Sequence, residues 1–299
     1  DLHKAIRRQR QMCIRDSNVP GLHLNMPYMS EKDKSDIIFG INNHVDFIAA
    51  SFVRTVKDIE DIRAFLHENG GDGIHIIAKI ENREGVENID GIIAASDGIM
   101  VARGDMGVEL PEEEVPILQK MIIGKVYEAG KQVITATQML DSMMKNPRPT
   151  RAEVADVANA IYDGTSAIML SGETAAGAYP VEAVAMMKKI ADTVEESPFM
   201  RKNKFPRKMV EEEKDSQAMA IGMSIADMSK KMNVKGVVAL TGSGFTASFL
   251  SEGRLSVPIF ACCPSKNICR DIKLYRGVCP FVVDFEATID KNSLRQMDK

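Results

Sequence analysis

The sequence predicts an α/β protein: five βα units of a partial (β/α)8 barrel, followed by a smaller, truncated α/β domain. Three observations lead there. Short, nearly continuous apolar runs recur every roughly 25 to 35 residues, the length of one βα unit. Amphipathic segments separate them, as parallel strands covered on both faces require. Every run also ends in polar side chains. A barrel gathers such groups at one shared mouth, whereas an open sheet presents them only at its switch point.

The five runs span 46–53, 74–80, 98–103, 132–137 and 166–171. Helices are expected at about 55–68, 84–95, 112–129, 151–163 and 180–196. Thr150 with Glu153 has the spacing of a capping box, and Pro180 suits a first helical turn. Gly130 sits where a left-handed residue closes a helix. The polar strand ends are Ser51 and Arg54, Lys79 and Glu81, Arg103 and Asp105, Thr135 with Thr137 and Gln138, and Ser171 with Glu173. Five units fall short of the eight that close a barrel, so open sheet edges are expected.

Residues 1–17, with Arg7, Arg8, Arg10 and Arg15 and no periodicity, are expected to be a non-native or disordered leader. The partial barrel is assigned to 18–200 and the second domain to 215–299, with a charged boundary at 197–217. In the second domain a helix near 216–231 leads to strands near 237–241, 258–261 and 278–284.

Composition narrows the function. The 299 residues are 44% hydrophobic, enough for a sizeable core. A net charge of -4 and 5% aromatic content disfavour nucleic acid as a partner. Five cysteines without zinc-ligand spacing argue against a disulfide framework and for a reducing, cytoplasmic setting. No apolar run approaches the roughly 18 to 20 residues that span a bilayer, so no membrane partner is expected.

Residues two apart on a strand point the same way, so Lys79 and Glu81 share a face, and Asp105 follows the next apolar run. A cation beside two carboxylates from neighbouring strands suggests a divalent-metal site for an anionic substrate. In the second domain, the loop from Thr241 through Ser243 to Thr246 follows a strand and opens a helix, so its amides and hydroxyls could hold a phosphate.

Four stretches in order carry a family resemblance: IHIIAKIENREGV from Ile74 to Val86, DGIMVARGDMGVELP from Asp97 to Pro111, TATQMLDSMMKNPRPTRAE from Thr135 to Glu153, and MLSGETA from Met169 to Ala175. They resemble the motifs of the pyruvate kinase family, and the likeness runs from about Val19 to the C-terminus. The resemblance implies transfer of phosphate from phosphoenolpyruvate to ADP, giving pyruvate and ATP in glycolysis. It implies that Lys79 neutralises charge on the moving phosphoryl group and the enolate, and that Glu81 and Asp105 bind Mg2+ or Mn2+. Gly104 and Asp105 would receive the substrate carboxylate on their amides, Arg103 would orient, and Thr137 would contact substrate on the protonation side. Structural roles lead for Arg148, Arg151 and Glu173, and packing for Met139, Met143 and Met144.

The resemblance also implies K+, with its site residues in an N-terminal part that this sequence lacks, together with three barrel strands and most of a lid domain. The chain would then hold one wall of the site and show little or no turnover. A homotetramer is implied, as is a phosphorylated sugar or nucleotide effector near Thr241, Ser243 and Thr246. Two rivals stand beside this: a Mg-dependent lyase or aldolase barrel acting on pyruvate enolate, and a non-catalytic effector-binding or assembly fragment.

Overall fold

The computed structural model describes residues 27–197, 200, 213–255 and 257–284, so the expected leader at 1–17 lies outside the described residues. Five parallel strands form the first sheet in sequence order: β1 (Phe47–Ala50), β2 (His75–Ile80), β3 (Gly98–Ala102), β4 (Gln132–Ala136) and β5 (Ala167–Met169). The register runs Phe47 against His75, Ile77 against Gly98, Gly98 against Gln132, and Ile134 against Ala167.

Alternation sorts the side chains into two layers. Ile76, Ala78, Ile80, Ile99, Val101 and Val133 pack outward against the helices. Ile77, Met100, Ile134 and Ala136 form the other layer, with Phe47, Ala167 and Met169 beside them. Lys79 is in register with Met100 and has the parity of Ile77, which puts it on this second face at the C-terminal end of β2.

Up to β4 the helices follow the expected pattern with three differences. A helix not expected from the sequence, α1 (Glu31–Asn42), precedes β1 and starts at Ser30, whose hydroxyl and amide pair with Asp33 in a capping box. Helix α2 (Val56–Glu68) matches the sequence, but the expected helix at 84–95 is split into α3 (Arg83–Glu87) and α4 (Ile89–Ala95). Asn88 stands at the break, and its side-chain amide donates to Arg54 O at 2.9 Å, which ties the junction to the loop after β1. Gly85 permits the close approach there: a Cβ on it would lie 2.6 Å from Val53 O. The third difference is α5 (Arg103–Glu109), which starts directly on the last residue of β3.

Three further helices follow: α6 (Val115–Glu128), α7 (Arg151–Asp163) and α9 (Pro180–Glu196), with the short α8 (Gly172–Ala175) before the last. The Thr150–Glu153 capping box forms, Pro180 occupies the first turn of α9, and Gly130 has φ 69° after α6. Met139, Leu140 and Met143 are fully buried beneath α7 and α9 as packing residues.

The second sheet has three parallel strands, β6 (Val237–Leu240), β7 (Ile259–Cys263) and β8 (Val278–Val282), with α10 (Glu213–Lys231), α11 (Phe245–Glu252) and α12 (Lys266–Asp271). Arg270 Nε on α12 donates to both carboxylate oxygens of Asp46, just before β1, at 2.8 and 2.9 Å. The Tyr127 hydroxyl donates to Glu252 O at 2.9 Å, and the Arg254 guanidinium lies 4.7 Å from the centre of the Tyr127 ring. No described helix is long and apolar enough to cross a membrane.

Candidate active site

The strand ends gather the polar groups. The Lys79 ammonium donates to Ser51 Oγ at 2.8 Å and lies 2.6 Å from Glu81 Oε1. Glu81, just beyond β2, is fully buried, and its other oxygen accepts the backbone N–H of Phe52. Oε1 has the ammonium beside it as an ion pair, without a well-aligned hydrogen bond. Burial raises the Glu81 pKa above the usual carboxylate range. Lys79 and the Phe52 amide pull it down, and the nearby Asp105 charge adds to the rise. Strand parity therefore brings Lys79 and Glu81 together, and Asp105 stands near enough to perturb Glu81.

Arg103, Gly104 and Asp105 lie in the first turn of α5. Among the described residues Gly104 N donates to Thr137 Oγ1 at 2.7 Å, and that hydroxyl donates to Ala136 O at 2.7 Å. The Gly104 amide expected to face a substrate carboxylate thus has Thr137 as its partner. A Cβ at Gly104 would stand 3.3 Å from Thr137 Oγ1, so a side chain there would push the threonine by a few tenths of an ångström.

Arg103 is 9% exposed, and its guanidinium faces the protein, not the mouth. It donates to Asp156 Oδ1 at 2.7 Å, to Thr137 O at 2.8 Å and more weakly to Gln138 O at 3.4 Å. In this arrangement Arg103 holds the loop that carries Thr137. Thr137 and Gln138 both sit in the left-handed region, with φ 69° and 53°.

Several supporting groups were weakly signalled in the sequence. Ser51 was visible as a strand-end hydroxyl, but the Phe52 amide carries no side-chain signal. Glu173, 2% exposed, accepts from Leu140 N at 3.1 Å and Ser171 N at 2.8 Å, which fixes the loops after β4 and β5. Arg148 and Arg151 are exposed.

In the second domain Thr241 is 3% exposed, and its Oγ1 accepts Gly244 N at 2.9 Å, so it closes the turn. Ser243 and Thr246 are exposed at the start of α11, while Thr241 does not face outward with them.

Comparison with known proteins gives matches along most of the chain. The family description "Pyruvate kinase, barrel domain" matches residues 6–184, and "Pyruvate kinase, alpha/beta domain" matches residues 219–298. A pyruvate kinase of Sporosarcina psychrophila is 53% identical over 274 residues, covering 92% of this chain and 46% of the relative. One of Clostridium acetobutylicum is 49% identical over 282 residues, covering 94% and 59%. One of Bacillus licheniformis is 53% identical over 261 residues, covering 87% and 44%. The chain spans about half the length of the curated relatives it matches.

Proposed function

The chain belongs to the pyruvate kinase family, and on that premise we propose that its strand ends form the phosphoenolpyruvate and metal side of a site that passes phosphate to ADP, giving pyruvate and ATP. The supporting observation is the fully buried Glu81 carboxylate beside Lys79, with Asp105 close enough to raise its proton affinity. Two neighbouring carboxylates, one buried, are costly unless a cation compensates them.

That donor set suits Mg2+ or Mn2+. Magnesium takes one or two protein carboxylates and completes its octahedron with water and substrate oxygens. A larger cluster is not required, and among the described residues no three or more His, Cys, Asp or Glu side chains are placed to share a metal ion. Glu81 and Asp105 would hold the ion, which when bound neutralises charge on the phosphoryl oxygens. Lys79 would supply positive charge to the transferring group and the developing enolate, the contribution phosphoryl transfer most needs. Thr137 would place a hydroxyl beside the enolate without titrating itself. Arg103 would position that threonine.

Residues 18–200 are assigned to the barrel portion and 215–299 to the second domain. The exposed hydroxyls of Ser243 and Thr246 are assigned to a phosphorylated effector, with Thr241 shaping the turn. K+ and a homotetramer are carried over from the family.

The test is binding followed by product analysis. Free Mn2+ measured by electron paramagnetic resonance should fall on adding the chain, and phosphoenolpyruvate should tighten that binding. Glu81→Gln should abolish both effects; unchanged Mn2+ binding in that variant would overturn the metal assignment. With ADP, Mg2+ and K+ added, any pyruvate should appear with equimolar ATP. Pyruvate with inorganic phosphate and no ATP would mean hydrolysis by water and would overturn the transfer to ADP.

A further inference from the structure

We propose that Asp156 is a positioning residue: through Arg103 it fixes the left-handed Thr137–Gln138 pair and so aims the Thr137 hydroxyl at the Gly104 amide. The inference rests on the assignment of Thr137 and Gly104 to the substrate side, but the clamp itself can be judged without it.

Two consecutive non-glycine residues at φ 69° and 53° are unfavourable, most of all for a β-branched threonine. Such a conformation persists where its surroundings over-determine it. Arg103 does so by spreading one guanidinium nitrogen over both carbonyls of the pair, Thr137 O at 2.8 Å and Gln138 O at 3.4 Å. The other terminal nitrogen meets Asp156 Oδ1 at 2.7 Å and Gln119 Oε1 at 3.4 Å. Gln119 is itself 4% exposed and is locked by Asp163, to which its amide donates at 2.9 Å.

A guanidinium this buried needs a carboxylate, or its charge is left uncompensated. Asp156 provides it from α7, 53 positions along the chain from Arg103. With the fork fixed, the Thr137 hydroxyl has one lone pair on Gly104 N and its proton on Ala136 O. Loss of Asp156 would free the fork to rotate, and the strained pair would relax away from Gly104.

Amide hydrogen exchange on the whole chain reads this directly. Asp156→Ala should speed exchange at Gly104 by about tenfold or more, while β3 and β4 strand amides keep their protection. Asp156→Asn retains an oxygen for Arg103 but not the charge, and should restore part of the Gly104 protection. Arg103→Lys keeps the charge but lacks the fork, and should not restore it. If Asp156→Ala does not fold, Arg103→Lys must show the same Gly104-specific acceleration. Unchanged Gly104 exchange, or equal acceleration in the Ala and Asn variants, would overturn the proposal. In a separate arm, phosphoenolpyruvate affinity with Mn2+ should fall about tenfold in Asp156→Ala and less in Asp156→Asn. Absence of phosphoenolpyruvate binding to the unaltered chain would remove the substrate assignment and leave exchange to judge the clamp.

Discussion

Two turns of this molecule share a threonine-to-glycine hydrogen bond and differ in backbone and chemistry. Gly104 is the second residue of α5, after β3, and Gly244 is the left-handed residue that caps α11, after β6; in both, a threonine hydroxyl accepts the glycine N–H, at 2.7 Å from Thr137 and 2.9 Å from Thr241. The threonine comes from the neighbouring strand in the first turn and from three residues upstream in the second. Around the first lie Lys79, Glu81 and Asp105, with a buried carboxylate whose proton affinity is raised. Between Thr241 and Thr246 the second has no ionisable side chain. In both places the glycine amide is taken by a threonine, but only the first turn has fixed charge from a second strand beside it.

The sharpest way to break this contrast is Glu81→Gln, expected to weaken Mn2+ binding by at least about a hundredfold in an equilibrium titration. Lys79→Met should act differently: Mn2+ alone should bind as well or better, since a neighbouring cation is gone, while phosphoenolpyruvate affinity falls about tenfold or more. The pH profile sharpens the same point. Because burial raises the Glu81 pKa, a proton competes with the metal at higher pH than for an exposed carboxylate, and Mn2+ affinity should drop by up to about tenfold per pH unit below that range. The stability sign is opposite. Glu81's raised pKa stabilises the fold at pH below the unfolded-state value, and that contribution is lost as pH rises through the folded-state value.

Smaller effects are expected at the second turn. Thr241→Val removes the acceptor of a buried N–H and should cost about 1 kcal/mol in urea unfolding. Ser243→Ala, at an exposed position, should stay within about 0.5 kcal/mol.

The sheet was legible because parallel strands covered on both faces leave unbroken apolar runs, and all five expected runs contain a strand. Lys79 and Glu81 were legible from parity alone. Helix α1 was missed because its capping partner at the third position is Asp33 and not the glutamate or glutamine of the usual signature. The split at Asn88 depends on a carbonyl 34 positions away, which no local pattern encodes. Likewise, the Phe52 amide on Glu81, the left-handed Thr137 and the inward turn of Arg103 all arise from register between separate strands and helices. What local periodicity cannot show is which backbone groups a side chain will meet once the strands are aligned.

The Arg270–Asp46 pair gives β1 a mechanical character. An extended strand bends easily but hardly lengthens, because stretching it would distort bond angles and planar peptides. From Asp46 to Ser51 the strand covers about 16 Å, with the second domain gripping its lower end and the Lys79 ammonium touching its upper end. It is a short tie. An axial pull of a fraction of an ångström at Arg270 would reach the Ser51 hydroxyl with little loss, while a push would be lost in bending.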